Sequence, residues 1–343
     1  MLKIGLIGFG GTIAMVPNAD GALAPAQSAE QLVEHAPGLK ELGASLEVIQ
    51  LSNKDSTNLN PSDWQLLIKK VIELQSKYDG LIITHGTDTM AYTSTALALA
   101  LDNSLQKPII FTGSQLPIID PGTDAQPNLE RSMKTIIEAI EAGIREVMIV
   151  FGDKVLRASR SIKTNEARFD AFDSPAWPPL AIITATGAQF NAMANQSRPK
   201  PGDSEIKNKF DTGIVSIDVR PGLEPEVVWA ITESDRCTAL ILKSLGAGNV
   251  PSEGKYSLIP VIESTVKNGK PVIIATKFIG GRVVPDIYET GQAPLKVGAG
   301  HSGDMTDVAT EVKLMWLVGQ GITDPAAVKQ AMLKSYIGEI SQA

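Results

Sequence analysis

Short apolar runs rich in β-branched residues recur along this chain at 2–7, 46–51, 80–84, 108–112 and 146–151, with helix-like segments between them. A strand wetted on one face alternates apolar and polar residues. Unbroken runs instead suit strands covered on both faces, as in a parallel sheet with crossover helices. The intervening segments agree. Pro61, Ser62 and Asp63 open a stretch with Trp64, Leu67, Ile68, Val71 and Ile72 at helical spacing, and 128–142 repeats the pattern with Leu129, Met133, Ile136, Ile137 and Ile140. The expected fold is α/β: a larger N-terminal domain over 1–188 with a mostly parallel sheet flanked by helices, linked to a smaller α/β C-terminal domain. The segment 189–212, crowded with Asn, Ser, Lys, Pro and Gly, reads as the linker. The second domain, 213–343, resumes the alternation at 213–219, 239–242 and 271–276. An amphipathic helix then runs from about 305 to 318, with Asp304 placed to cap it and Asp307 and Glu311 near its start.

A length of 343 residues accommodates two such domains. The net charge of −7 and the absence of any basic run longer than two residues give no electrostatic reason to expect nucleic acid or an anionic membrane as partner. Lone Cys237 excludes an intrachain disulfide framework and a Cys-rich metal site. No apolar run approaches the roughly 18 residues of a membrane span. Lys3, the apolar stretch 4–15 and Ala22-Leu23-Ala24 loosely imitate a signal peptide, but four glycines in that stretch read better as a strand entering a tight turn. A soluble, cytoplasmic protein acting on a small molecule is expected.

Three clusters follow strands. Gly8-Phe9-Gly10-Gly11-Thr12 lacks the third glycine of a dinucleotide fingerprint, since Ile13 stands there, and no Gly-Lys-Ser/Thr follows to make a phosphate loop. It remains a turn presenting the Thr12 hydroxyl at a strand's C-terminal end, structural or catalytic. Thr84-His85-Gly86-Thr87-Asp88-Thr89-Met90 crowds hydroxyls, an imidazole and a carboxylate at a strand-to-helix junction. Asp88 there suits either a helix cap or a substrate ammonium. Lys154, after the strand at 146–151, is either a solvated lysine or the base that a threonine nucleophile such as Thr87 requires. His35, His85 and His301 show no metal-ligand spacing; His301 with Asp304 and Asp307 reads as a loop entering a capped helix. Ser264-Thr265-Val266-Lys267 matches Ser-x-x-Lys without that mechanism's companion motifs.

Together, Gly10-Gly11-Thr12-Ile13-Ala14, the heptad 84–90, Asp55-Ser56-Thr57, Thr112-Gly113-Ser114-Gln115 and Lys154 resemble the bacterial-type L-asparaginases of the asparaginase/glutaminase superfamily, nearer the cytoplasmic type I branch. Gly246-Ala247-Gly248-Asn249 and Gly303-Asp304-Met305-Thr306 extend the resemblance over nearly the whole chain. It implies hydrolysis of the L-asparagine side-chain amide without metal or organic cofactor, an activity that could extend to L-glutamine. By the same resemblance Thr12 is the nucleophile, and Thr87 with Lys154 activates the attacking hydroxyl or water. Asp88 holds the substrate's α-ammonium and Ser56 its α-carboxylate; Gly11, Thr57, Gly86 and Ser114 line the substrate. Backbone N–H groups of the glycine-rich turn and of Gly113-Ser114 are candidate oxyanion donors. The family's homodimers or homotetramers complete each site from a neighbour, which implies that Asn249 reaches across; the alternative is that Asn249 stabilises its own loop.

The chain departs from the family in one place. The family's lid carries a tyrosine about ten residues after the first motif; here Ala22 or Leu23 holds that place and no tyrosine precedes Tyr78. The lid, small and Gly-containing, is expected to be flexible without it. Two alternatives stay open: an amino-acid-binding or sensing protein on this scaffold, and the ammonia-releasing subunit of a tRNA-dependent amidotransferase, which carries an extra N-terminal domain whereas the first motif here begins at residue 8.

Overall fold

A computed structural model describes residues 1–17, 20–21, 23–25, 27–195 and 205–342. They gather into two compact units, Met1–Ile206 and Lys207–Ala343.

In the first unit the chain runs through Lys3–Gly10 (β1), the short antiparallel pair Met15–Pro17 (β2) and Leu23–Pro25 (β3), Ala29–Glu34 (α1) and Ser45–Lys54 (β4). Pro61–Leu74 (α2) follows, begun by an Asn60/Asp63 capping box with proline in its first turn. Then come Gly80–Thr84 (β5), Met90–Leu101 (α3), Ile109–Thr112 (β6), Ala125–Glu141 (α4), Val147–Phe151 (β7), Lys154–Arg157 (β8), Ile162–Lys163 (β9), Phe172–Asp173 (β10), Ala181–Thr184 (β11) and Gly187–Phe190 (β12). The main sheet has the order β12-β11-β8-β7-β6-β5-β1-β4. From β4 to β7 it is parallel; β8, β11 and β12 add antiparallel strands at one side. Every residue of β5, β6 and β7 is buried, which is why their sequences do not alternate. The stretch 4–15 thus forms a central strand and the turn after it. Of the expected lid, Asn18, Ala19 and Ala22 lie outside the described residues, while Leu23 begins β3. Of the expected linker, Gln189 and Phe190 belong to β12, Ala192–Asn195 forms a 3-10 turn, and 196–204 lie outside the described residues.

The helices are divided unevenly between the two faces of this sheet. Leu32 and Val33 of α1 and Leu129, Met133 and Ile136 of α4 share one apolar cluster with Ile4, Leu6, Ile82 and Ile110. On the other face α2 packs against α3. From β1 to β4 the chain steps one way along the sheet through α1; from β6 to β7 it steps the opposite way through α4 on the same face. The β6-α4-β7 crossover therefore has the opposite hand to the others, against the strong right-handed rule. As a result the loop after β5 leaves toward one face while the loops after both its neighbours, β1 and β6, leave toward the other. The C-terminal end of β5 is thus flanked by a crevice on each side, the position at which open α/β sheets bind ligands.

The second unit contains Ile214–Asp218 (β13), Pro225–Thr232 (α5), Ala239–Ser244 (β14), Ile259–Lys267 (α6), Val272–Thr276 (β15), Glu289–Lys296 (α7), Gly300–His301 (β16), Asp307–Gly319 (α8) and Pro325–Leu333 (α9). Its four strands pair in parallel in chain order. The cap of α8 corrects the sequence expectation: Thr306, not Asp304, accepts from the Ala309 N–H, and Asp304 accepts from the backbone and hydroxyl of Ser341. An acceptor can serve as N-cap only from the residue adjoining the first turn, and Asp304 lies two residues too early. Lys313 of α8 and Glu339 are both wholly buried and paired at 2.7 Å. The ammonium also donates to the carbonyls of Met332 and Lys334, and the carboxylate accepts from the N–H groups of Tyr336 and Ile337. Among the described residues no helix is long and apolar enough to cross a membrane, and no group of three or more His, Cys, Asp or Glu could hold a metal ion.

Candidate active site

The two crevices beside β5 are closed by backbone meeting backbone. Gly10 and Gly11 both have positive φ, at 102° and 99°. A Cβ on Gly11 would strike the Gly86 nitrogen and lie 2.5 Å from the Gly86 Cα. A Cβ on Gly86 would in turn lie 2.5 Å from the Ser56 Oγ, and one on Gly113 would strike the His85 carbonyl oxygen. Glycine at these positions lets the loops after β1, β5 and β6 meet main chain to main chain, and lets the Ser56 side chain from the loop after β4 press against Gly86. Thr12 and Thr87 each come directly after the Gly11–Gly86 contact. Thr12, half-buried, opens the 3-10 turn Thr12–Ala14, and the Ile13 carbonyl accepts from the Ile118 N–H, tying this loop to the one after β6.

Asp88 does not cap α3. The N-cap is Thr89, which makes no side-chain cap bond and donates its hydroxyl to the Ser56 carbonyl instead. Asp88 pairs with Lys163, whose Nζ lies 2.7 Å from its Oδ1 and 2.8 Å from the Thr87 Oγ1. The Lys163 side chain is 16% exposed and that of Asp88 60%, so the lysine is sheltered against a buried threonine while its carboxylate partner faces solvent. The Thr87 hydroxyl can donate onward to the Gln115 Oε1 at 3.5 Å; Gln115 is itself held through its Nε2 on the Arg168 carbonyl and its backbone N–H on Asp124.

The expected pairing of Lys154 with Thr87 is corrected: Lys163 makes that contact, and Lys154 bonds Asp173 at 3.1 Å. The cause is the two-residue reversal at Gly152-Asp153, which pairs Phe151 with Lys154 and turns β8 back antiparallel to β7. The chain returns only nine residues later, in β9, to bring a lysine beside Thr87. Two strands joined by Gly-Asp are a hairpin signal readable in the sequence.

The other expected residues divide. Ser56 is buried against Gly86. Thr57 is exposed and donates its N–H to the Asp55 Oδ1. The Ser114 hydroxyl donates to the Leu116 carbonyl, leaving only its backbone to the site. In the second unit, Asn249 closes a turn with Leu245 and accepts from the Thr290 hydroxyl through Oδ1.

His85 lies wholly buried behind these groups. Burial lowers its pKa from the usual 6.5 to about 4, against a smaller opposing effect of its bond to the Gly86 carbonyl.

The profile described as "Asparaginase, N-terminal" matches residues 3–196, and that of the "Glutaminase/Asparaginase C-terminal domain" matches 214–332. An L-asparaginase of Thermococcus kodakarensis is 34% identical, with 99% of each chain aligned. A glutamyl-tRNA(Gln) amidotransferase component of Aeropyrum pernix is 33% identical over 99% of this chain and 80% of its own. The solved structure of the thermostable L-asparaginase from Thermococcus kodakarensis superposes with a TM-score of 0.89, at 33% identity, over 100% of both chains.

Two outcomes follow from this geometry. Gly11→Ala meets both a positive φ and a backbone collision, whereas Gly43→Ala, also at positive φ, meets open space. Thermal unfolding should show a loss of about 1 kcal/mol for Gly43→Ala and several times that for Gly11→Ala. Because the unfolded state takes up the His85 proton near 6.5 and the folded state only near 4, His85 contributes stability that is present above pH 6.5 and drains away as pH falls to 4. Relative to His85→Leu, wild-type unfolding free energy should therefore drop by roughly 3 kcal/mol across that window in urea titrations.

Proposed function

The chain belongs to the asparaginase/glutaminase family, and from that premise we infer that it is an amidohydrolase converting L-asparagine to L-aspartate and ammonia. The observation that carries the chemistry is the Thr87–Lys163–Asp88 chain of contacts at 2.8 and 2.7 Å, set against the Thr12 turn. An amide resists attack until a hydroxyl loses its proton, its oxygen is stabilised and its nitrogen is protonated. In the proposed reaction the Thr12 oxygen adds to the side-chain carbonyl carbon, and its proton passes to the departing nitrogen, which leaves as ammonia. A proton of the attacking water then passes through Thr87 and Lys163 to the Thr12 oxygen as the ester is cleaved, which releases aspartate and restores the hydroxyl. Asp88, exposed beside Lys163, suits the substrate's α-ammonium, and Ser56 its α-carboxylate. The direct Lys163–Thr87 bond favours one second reading, in which Thr87 is itself the first nucleophile. Peptide mapping of an acyl-enzyme trapped by acid quench distinguishes the two threonines.

The proposal extends to a cytoplasmic homodimer or homotetramer. The support for assembly is the set of apolar side chains exposed on the second unit, Phe278, Ile279, Ile287 and Tyr288, each more than half accessible. In such an assembly Asn249 would serve a neighbour's site. Light scattering after size exclusion checks the assembly.

A coupled ammonia assay with L-Asn, D-Asn, L-Gln and a β-aspartyl dipeptide tests the reaction; ammonia from none of them overturns it, and L-Gln turned over in preference to L-Asn moves the reading toward amidotransferase chemistry. Lys163→Met should lower kcat by about 10³-fold, while Lys154→Met, which breaks only a partly exposed pair, should change it by less than roughly threefold.

A further inference from the structure

We propose that His85 is a positioning residue: held between Thr93 and the Gly86 carbonyl as the neutral Nδ1–H tautomer, its ring fixes the Gly86–Thr87 peptide so that the Thr87 N–H faces the carbonyl under attack. This role rests on the amide-hydrolysis reading and assigns it a component outside the reacting groups.

The tautomer follows from the partners. Nδ1 lies 2.7 Å from the Gly86 oxygen, which can only accept, so Nδ1 carries the proton. Nε2 is then an acceptor, and the Thr93 hydroxyl, 2.9 Å away, donates to it. Thr93 is fixed in turn, its own N–H donating to the Thr89 carbonyl within the first turn of α3. The ring cannot easily rotate out of this arrangement. Phe9 of β1 and Phe111 of β6 flank it with centroids at 5.6 and 5.9 Å, so side chains from both neighbouring strands hold the imidazole at the end of β5.

The consequence for the site comes from peptide geometry. In a planar trans peptide the C=O and the following N–H point in opposite directions, and no described peptide here is cis. Drawing the Gly86 oxygen down onto a ring in the core therefore turns the Thr87 N–H outward, into the crevice. Thr87 is thus set twice, its hydroxyl by Lys163 and its amide by His85. An amide N–H fixed before the substrate arrives stabilises a developing oxyanion without reorganisation, which is where such donors have their largest effect. Packing alone does not require an imidazole here, because a leucine between two phenylalanines fills similar space but cannot hold the carbonyl.

The variants that separate these roles are His85→Leu, His85→Asn, which restores an N–H donor near the place of Nδ1, and Thr93→Val, which removes only the outer partner. With L-asparagine, His85→Leu should lose about 10- to 100-fold in kcat with KM little changed, and His85→Asn should recover most of that loss. Thr93→Val should lie between them, and it keeps the test open should His85→Leu fail to fold. Wild-type kcat in His85→Leu, or equal losses in the Leu and Asn variants, overturns the proposal. If the wild-type protein itself releases no ammonia, the amidohydrolase reading has failed instead. The hold of His85 on the Gly86 carbonyl is then decided by ¹⁵N shifts of the three labelled histidines. An Nδ1–H tautomer at the buried histidine supports it and an Nε2–H tautomer overturns it.

Discussion

Side chains cannot approach one another as closely as two bare backbones can, and the site depends on that difference where Gly11 meets Gly86. The contact has no room for a methyl group on either side, because Gly86 is pressed between Gly11 and Ser56. It fixes the spacing of the two threonines that follow it and holds the β1 and β5 loops in register before any substrate contributes. The polar groups added outside it, Lys163, Asp88 and Gln115, act on positions already set by main chain.

Topology explains why this convergence occurs at β5. The opposite-handed crossover through α4 sends the β6 loop to the same face as the β1 loop, which leaves the β5 loop isolated between them. A uniformly right-handed sheet would provide one switch point in this region. Here there are two around a single strand end, so groups arrive from both flanks: Thr12 from β1, and the Gly113–Gln115 segment from β6. Lys163 enters above the strand from β9.

Much of this was legible in the sequence because it depends on local pattern. Buried parallel strands cannot hide their unbroken apolar runs, and the heptad at the end of β5 exceeds what capping requires. Gly10-Gly11-Thr12 and Thr84–Met90, in combination with 55–57, 112–115 and Lys154, point to a family. What local pattern could not supply was the partner of Thr87. Two lysines nine residues apart, Lys154 and Lys163, follow the same strand, and only the reversal at Gly152-Asp153 decides which returns to the site. The cap of α8 is ambiguous in local pattern for a similar reason. Asp304 and Thr306 are both competent caps, and a contact with Ser341, 37 residues away, claims the first. The hand of the α4 crossover has no signature in any one segment, since it is a relation among four strands and two helices.

The buried pair of Lys313 and Glu339 has a consequence for how sequences of this kind can diverge. Either residue changed alone leaves a charge stranded in an apolar interior, whereas exchanging both for well-packed apolar side chains can be close to neutral. Position 313 is therefore not free to drift while 339 stays acidic. The two should be inherited as a unit and lost as a unit, and among distant relatives they should appear as a covarying pair although 26 residues separate them.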